Sequence, residues 1–385
     1  MAGGGGPTRL ARRIATLTAA CVALGWVGSA SPAPAAAPMN QDGMWIWYVS
    51  QSGGSAEAIA RKAKNHDMRL VFIKSSDGAS AWSQFTGDLV RGLHRRGMTV
   101  CAWQFVYGAY PLQEAKRGAE AERKGADCLV IDAESHYEGR YAAADKYMGA
   151  LRKRVGPDYP VGFTSFPWVD YHPTLPYSVF LGRGGARFNL PQVYWKTIGT
   201  SVDNGLGHTY LWNLPYDRPI LPLGQTYGNP SGDDLKRFRR LSAGYGAKGV
   251  SWWSWQETSS SEWNRIDGNV HRPFPDPQRN FPRLSRGARG DTVLLLQELL
   301  RAWGRDVPVD GSFGDKTRRV LKSYQRAHGL TDSGVTDKPT WRELRERRPE
   351  RIRWSRRGNP GFLRASKLEA ELPAALEMPS TPGRP

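Results

Sequence analysis

From Met44 onward, short runs rich in β-branched and aromatic residues alternate with longer stretches whose apolar positions recur every three or four residues. The first pattern reads as strand and the second as amphipathic helix. Strands are expected at Met44–Val49, Leu70–Lys74, Thr99–Phe105, Cys128–Asp132, Val161–Ser165, Gln192–Trp195, Leu221–Gln225 and Val250–Trp255. Helices are expected at Ala56–Asn65, Asp88–Arg96, Leu112–Lys124, Tyr141–Val155 and Leu235–Tyr245. Gly97, Gly125 and Gly246 supply the usual helix-ending residue. Eight strands with mostly helical crossovers predict an α/β chain folded as a (β/α)8 TIM-type barrel over residues 40–270. Residues 188–217 have no clear period, so the helices after strands five and six are expected to be short or replaced by loops.

The pattern changes after His271-Arg272-Pro273-Phe274-Pro275-Asp276-Pro277, a proline-spaced linker assigned to residues 271–282. Residues 283–345 read as a small all-α three-helix domain, with helices expected at Thr292–Trp303, Lys316–Ala327 and Pro339–Leu344. Two Gly-containing turns, at Asp310-Gly311 and Ser333-Gly334, echo each other, each leading into a helix. Residues 346–385 are dense in arginine and are expected to form a solvated, disordered tail.

Composition sets the compartment and the partners. Arg9, Arg12 and Arg13 precede an uncharged apolar stretch from Ile14 to Val27, and small residues follow at Ala33-Pro34-Ala35-Ala36-Ala37. Residues 1–37 therefore read as an export signal, too short for a membrane span. The expected location is secreted or cell wall, with no membrane contact after cleavage. Cys101 and Cys128 fall in expected strands; if these are neighbours the compartment allows a disulfide, but parallel neighbours rarely offer its geometry, so two buried thiols are the expectation over it. The formal charge of +18 predicts attraction to a polyanion, which for an exported chain points to anionic cell-wall polysaccharide and not to nucleic acid.

The run Leu129-Val130-Ile131-Asp132-Ala133-Glu134 carries the candidate chemistry. An apolar strand ends on two carboxylates one residue apart, so both point to the same side. The carboxyl ends of barrel strands are where such folds place reacting groups. Two readings fit: acid-catalysed cleavage of a glycosidic bond, or acids that cap a helix N-terminus. On the first reading Glu134 is the general acid, and Asp132 stays ionised, orienting the substrate's N-acetyl group. Lys74, Gln104, Tyr194 and Gln225 sit at strand ends and are expected to contact sugar; Lys74 is alternatively an internal ion pair with Asp132 or Glu134. Asp77 and Glu257 are further acids at the same end. Among the fifteen Trp residues, Trp103 and Trp255 are expected in the cleft, since aromatic faces suit pyranose rings.

Two resemblances refine this. The segment Leu284-x-x-Gly287-x-x-Gly290, Val293-x-x-Leu296-Gln297-x-x-Leu300, Asp310-Gly311-x-Phe313-Gly314 and Thr340-Trp341-x-x-Leu344 resembles the peptidoglycan-binding domain type 1 family, which implies a module that docks an enzyme onto peptidoglycan. Val71-Phe72-Ile73-Lys74-Ser75-Ser76-Asp77-Gly78, Met98-Thr99-Val100-Cys101-Ala102-Trp103-Gln104-Phe105 and Ile131-Asp132-Ala133-Glu134 resemble the lysozyme-like barrels of glycoside hydrolase family 25. That family carries an Asp on its first strand, where this chain reads Trp45-Ile46-Trp47-Tyr48.

Other chemistries find no support in sequence. There is no G-x-S-x-G elbow, no H-E-x-x-H and no nucleotide-binding glycine loop, so neither metal nor cofactor is expected. The expected function is a secreted glycosidase that cleaves peptidoglycan strands. The alternative, which the missing first-strand Asp favours, is an inactive barrel that only binds wall polysaccharide.

Overall fold

Alternation of apolar and polar positions resolves into eight parallel strands: β1 Gly43–Ile46, β2 Leu70–Asp77, β3 Thr99–Val106, β4 Cys128–Ala133, β5 Val161–Ser165, β6 Phe188–Val193, β7 Leu223–Gln225 and β8 Ser251–Trp253. Each pairs in parallel with the next, and β1 pairs with both β2 and β8, closing the barrel. A two-residue strand, Ser80–Ala81, folds back on β2. The computed structural model describes residues 1–5, 38, 40–268, 274 and 277–365. The export signal read over residues 1–37 lies almost wholly outside the described residues. Among the described residues no helix is long and apolar enough to cross a membrane.

Inward positions form one apolar column: Trp45, Leu70, Phe72, Cys101, Trp103, Cys128, Val130, Leu190, Tyr194 and Leu223. Outward positions pack against the surrounding helices, among them α1 Ala56–Asn65, α2 Gly87–His94, α3 Pro111–Gly118, α4 Tyr141–Val155, α5 Val202–Asn213 and α6 Gly232–Gly244. Two expectations change here. After β5 only the four-residue helix Tyr177–Phe180 forms, as expected, but residues 188–217 hold a six-residue strand followed by the twelve-residue α5; polar Asn189 and Gln192, with Pro191, mask the strand's period. Cys101 and Cys128 form a disulfide, not two thiols. The register pairs them directly across β3 and β4, both turned inward, with Cα atoms 4.6 Å apart.

α3 packs closely on the sheet. A Cβ at Gly118 would stand 2.4 Å from Gln104 Oε1 and 3.2 Å from both Leu129 Cδ2 and the Tyr147 hydroxyl. Gly118→Ala is therefore expected to lower stability by about 1–3 kcal/mol, read as a lower thermal midpoint.

The C-terminal helices, α7 Asp291–Ala302, α8 Asp315–Ala327 and α9 Lys338–Leu344, surround Leu296, Leu300, Leu321, Tyr324 and Trp341. Their turns are tied by Gln297, which donates to Asp310 and Ser312, and by Gln325, which donates to Val335 and Thr340. The described part of the linker is not loose at its far end. Pro282 O accepts from Trp341 Nε1 at 2.8 Å, so residues 281–282 belong to the module.

This module is welded to the barrel. Asp291, fully buried, accepts from Tyr141 Oη at 2.9 Å, Ser178 N and Oγ at 2.8 Å, and Tyr216 Oη at 2.7 Å. Gly290 beside it has φ +112°, and a Cβ there would meet Pro173 at 2.7 Å. The expectation of a disordered tail from residue 346 is also corrected. Trp354 and Phe362 are buried with Tyr141, Leu294 and Val309, and Ser355 N donates to Asp145 at 2.9 Å. Two large aromatics outweigh the surrounding arginines there. Residues 366–385 lie outside the described residues.

Candidate active site at the carboxyl end of the barrel

On β4 the inward parity runs Cys128, Val130, Asp132, and Glu134 follows just past the strand end. β5 presents Gly162 and Thr164 in that direction, since Val161 and Phe163 pack outward. Gln192 on β6 reaches over them. Its Nε2 donates to Asp132 Oδ1 at 3.2 Å and to Glu134 Oε1 at 3.0 Å, bridging the two acids. The bridged oxygens thus lie within about 6 Å of each other.

Both carboxyls are hard to ionise. Burial, reinforced by the Glu134 charge and opposed by Lys74, pushes Asp132 well above the usual carboxylate range. Burial also raises Glu134, but hydrogen bonds from Gln192 and Asp132, together with His136 and His172, pull it back. The pair therefore gives up its protons less readily than two free carboxyls do. Asp132, expected to stay ionised, is held above the ordinary carboxylate range together with Glu134. Gln192→Leu removes the bridge without touching either acid. It is expected to lower turnover about tenfold to a hundredfold, with the pH profile shifted and wall pelleting unchanged.

Lys74 is not ion-paired with Asp132 or Glu134. Its ammonium pairs with Asp77 at 3.1 Å and is 1 % exposed. It lies 4.5 Å from the ring of Trp103, 4.6 Å from Trp47 and 4.9 Å from Trp82. Burial lowers its pKa, and Asp77 works against that. The cage holds a fixed cation beneath the acids, and Trp253 closes its far side, 5.4 Å from Trp103.

The remaining candidates divide. Tyr194 faces inward on the β6 side, 5.4 Å from Tyr227. Gln104 points the other way, into the helix layer, donating to Gly78 O and Glu114 O and accepting from Tyr147 Oη. Gln225 is fully buried and spent on backbone, accepting from Lys196 N and donating to Tyr227 O. Trp255 lies in the outer layer against Trp263 and Lys62, because the chain has left the strand after Trp253. Glu257 is exposed and accepts from Ser254 Oγ at 2.9 Å. The sequence did not single out Gln192, Trp82, His136 or His172, and Trp47 and Trp253 stood only among the strand tryptophans, behind Trp103 and Trp255; Gln192-x-Tyr194, repeating the one-residue spacing of the acids, was the available signal.

Beside the acids, between the ends of β5 and β6, lies an open, largely apolar groove. Its walls include Phe166, Trp168, Tyr171, His172, Gln192 and Tyr194. Tyr171, at 58 % exposure, stands on one side of β4, and Tyr110 and Leu112, at 64 % and 54 %, follow β3 on the other. Exposed apolar side chains thus flank the acids on both sides.

Residues 289–344 match the family described as "Putative peptidoglycan binding domain". Among solved structures, a peptidoglycan-binding protein from Clostridioides difficile is 33% identical over 16% of this chain and 40% of its own, with a TM-score of 0.16. A chitinase from Chromobacterium violaceum is 10% identical over 59% of this chain and 97% of its own, with a TM-score of 0.45. The spore cortex-lytic enzyme SleL from Bacillus cereus is 10% identical over 59% of this chain and 73% of its own, at a TM-score of 0.45.

Proposed function

We propose that this protein is a secreted glycoside hydrolase that cleaves the glycan strands of peptidoglycan, held to its substrate by the C-terminal module. The observation that carries the reading is the Asp132–Glu134 pair, one carboxyl buried and the other half-buried, bridged by Gln192 at the mouth of the barrel. The peptidoglycan-binding match of residues 289–344 supports the choice of polymer. Both acids come from one strand and approach a sugar from one side. Their spacing leaves no room for the water of an inverting pair, which needs about 6.5–9.5 Å.

The chemistry this suits is substrate-assisted. The protonated carboxyl gives its proton to the glycosidic oxygen as the C1–O bond breaks. The acetamido oxygen of the same sugar attacks C1, and the second carboxylate steadies the acetamido nitrogen as charge develops there. Water then opens the cyclic intermediate, its proton taken by the carboxylate that first acted as acid.

The test is release of dye and new reducing ends from labelled, purified walls by wild type and by Glu134→Gln. Release by wild type alone supports the proposal. Equal release overturns it. No release by either, with pelleting retained, leaves the inactive wall-binding barrel.

A further inference from the structure

The amino-terminal end of the barrel, opposite the acids, gathers an unusual density of arginine. Loops entering β5, β6 and β7 converge there. Arg152, in the last turn of α4, donates to Tyr159 O and Gly185 O at 2.7 Å. Arg218 donates to Leu181 O at 2.7 Å and Gly182 O at 2.8 Å. Arg187 donates to Pro157 O at 3.0 Å and pairs with Asp158 at 2.6 Å. Three guanidinium groups are therefore pinned to two adjoining loops, 156–159 and 181–185. Among the described residues, no carboxylate stands within ion-pair distance of Arg152 or Arg218.

The charges press on one another. Burial first, then Arg187 and Arg218, bring Arg152 down to about 10, with Asp158 opposing. Burial also lowers Arg218, helped by Arg348 and Arg187 and opposed by Asp217. Arg183, Arg187 and Arg348 are exposed at the rim. Carbonyl oxygens hold Arg152 and Arg218 without cancelling their charge, and the two nearby acids, Asp158 paired with Arg187 and Asp217 paired with Arg345, are too few for the arginines gathered there, so the cluster stays net positive.

We propose that this cluster is a second binding surface, for a flexible cell-envelope polyanion carrying phosphate or carboxylate charge in each repeat. It rests on the wall-directed reading of the protein and not on catalysis. Such a polymer would replace the missing counter-charges, and binding would weaken as salt rises because counterions compete. Its position leaves the acid pair open to a separate glycan strand.

The experiment uses the full chain and two probes, long-chain inorganic polyphosphate and poly-glutamate, titrated by fluorescence anisotropy across a salt series. Comparison of the probes distinguishes phosphate from carboxylate polymers. Arg183→Glu, Arg187→Glu and Arg348→Glu combined should weaken binding of the preferred probe at least about tenfold and flatten its salt dependence. Arg61→Glu, Arg91→Glu and Arg123→Glu combined make the same change in net charge elsewhere on the barrel, and should leave affinity within about twofold. Equal weakening by the two sets, or none by the first, overturns the proposal. The milder Arg183→Ala with Arg348→Ala, checked by its thermal midpoint, gives the same discrimination if the triple reversal unfolds. Wall hydrolysis assayed alongside separates failure of this proposal from failure of the glycosidase reading.

Discussion

Exchanging Glu134 for Gln should cut the release of reducing ends from purified walls by about 10²–10⁴-fold, with binding to walls intact. Asp132→Asn should do comparable damage. The two acids are bridged by one amide and burial raises both, so either change disturbs the same unit. The double variant should therefore be no worse than the poorer single one. An additive loss, with each change multiplying the other, would mean that the carboxyls act independently. The pH profile offers a second check. Both acids are raised above their ordinary range, so wild-type activity should fall on the alkaline side as the pair loses its proton. Removing either partner should move that limb, because the remaining carboxyl no longer feels the other's charge.

The largest stability loss is expected at Asp291. Replacing it with Ala strands two tyrosine hydroxyls, a serine hydroxyl and a backbone N–H that now share one carboxylate. Leaving such donors unpaired in a buried seam should cost about 3–5 kcal/mol. A calorimetric midpoint would show it, and proteolysis should then separate module from barrel. Asp291→Asn should cost less. Its pH dependence carries a definite sign. Burial raises Asp291 from 3.8 to about 6 despite its four hydrogen bonds. The folded state thus binds this proton more readily than the unfolded chain. The contribution of Asp291 to stability should grow as pH falls through about 6 and level off below about 3.8. Asp291→Asn should remove that part of the rise; the rise contributed by Glu298 and Asp42, which burial also raises, should remain.

Much of the barrel was legible because helix and strand periods differ so plainly along residues 56–165; α1, α4 and β5 begin and end where their patterns do. The acid pair was legible for the same reason, since a one-residue spacing at a strand end keeps both side chains on one face. The errors at the site come from pleat parity. A residue at a strand's end may face the mouth or the helices, and nothing in local sequence distinguished Trp103 from Gln104. Trp255 failed because alternation stops with the strand at Trp253. The cage around Lys74 assembles residues from β1, β2, β3 and the Trp82 turn, a meeting that only barrel closure brings about. Beyond residue 345, high charge density concealed two aromatic anchors, Trp354 and Phe362.

Asp291 and the folded segment through Phe362 remove the play that a linker normally grants an anchoring domain. An anchor on a tether lets its partner sample a sphere of neighbouring chains. Here, once the module has taken hold, the mouth of the barrel must face the polymer at one fixed offset and angle. On the proposed reading, such a molecule would behave less like a grazing animal on a rope than like a die in a press: each landing would permit one cut site, and reaching the next would require letting go.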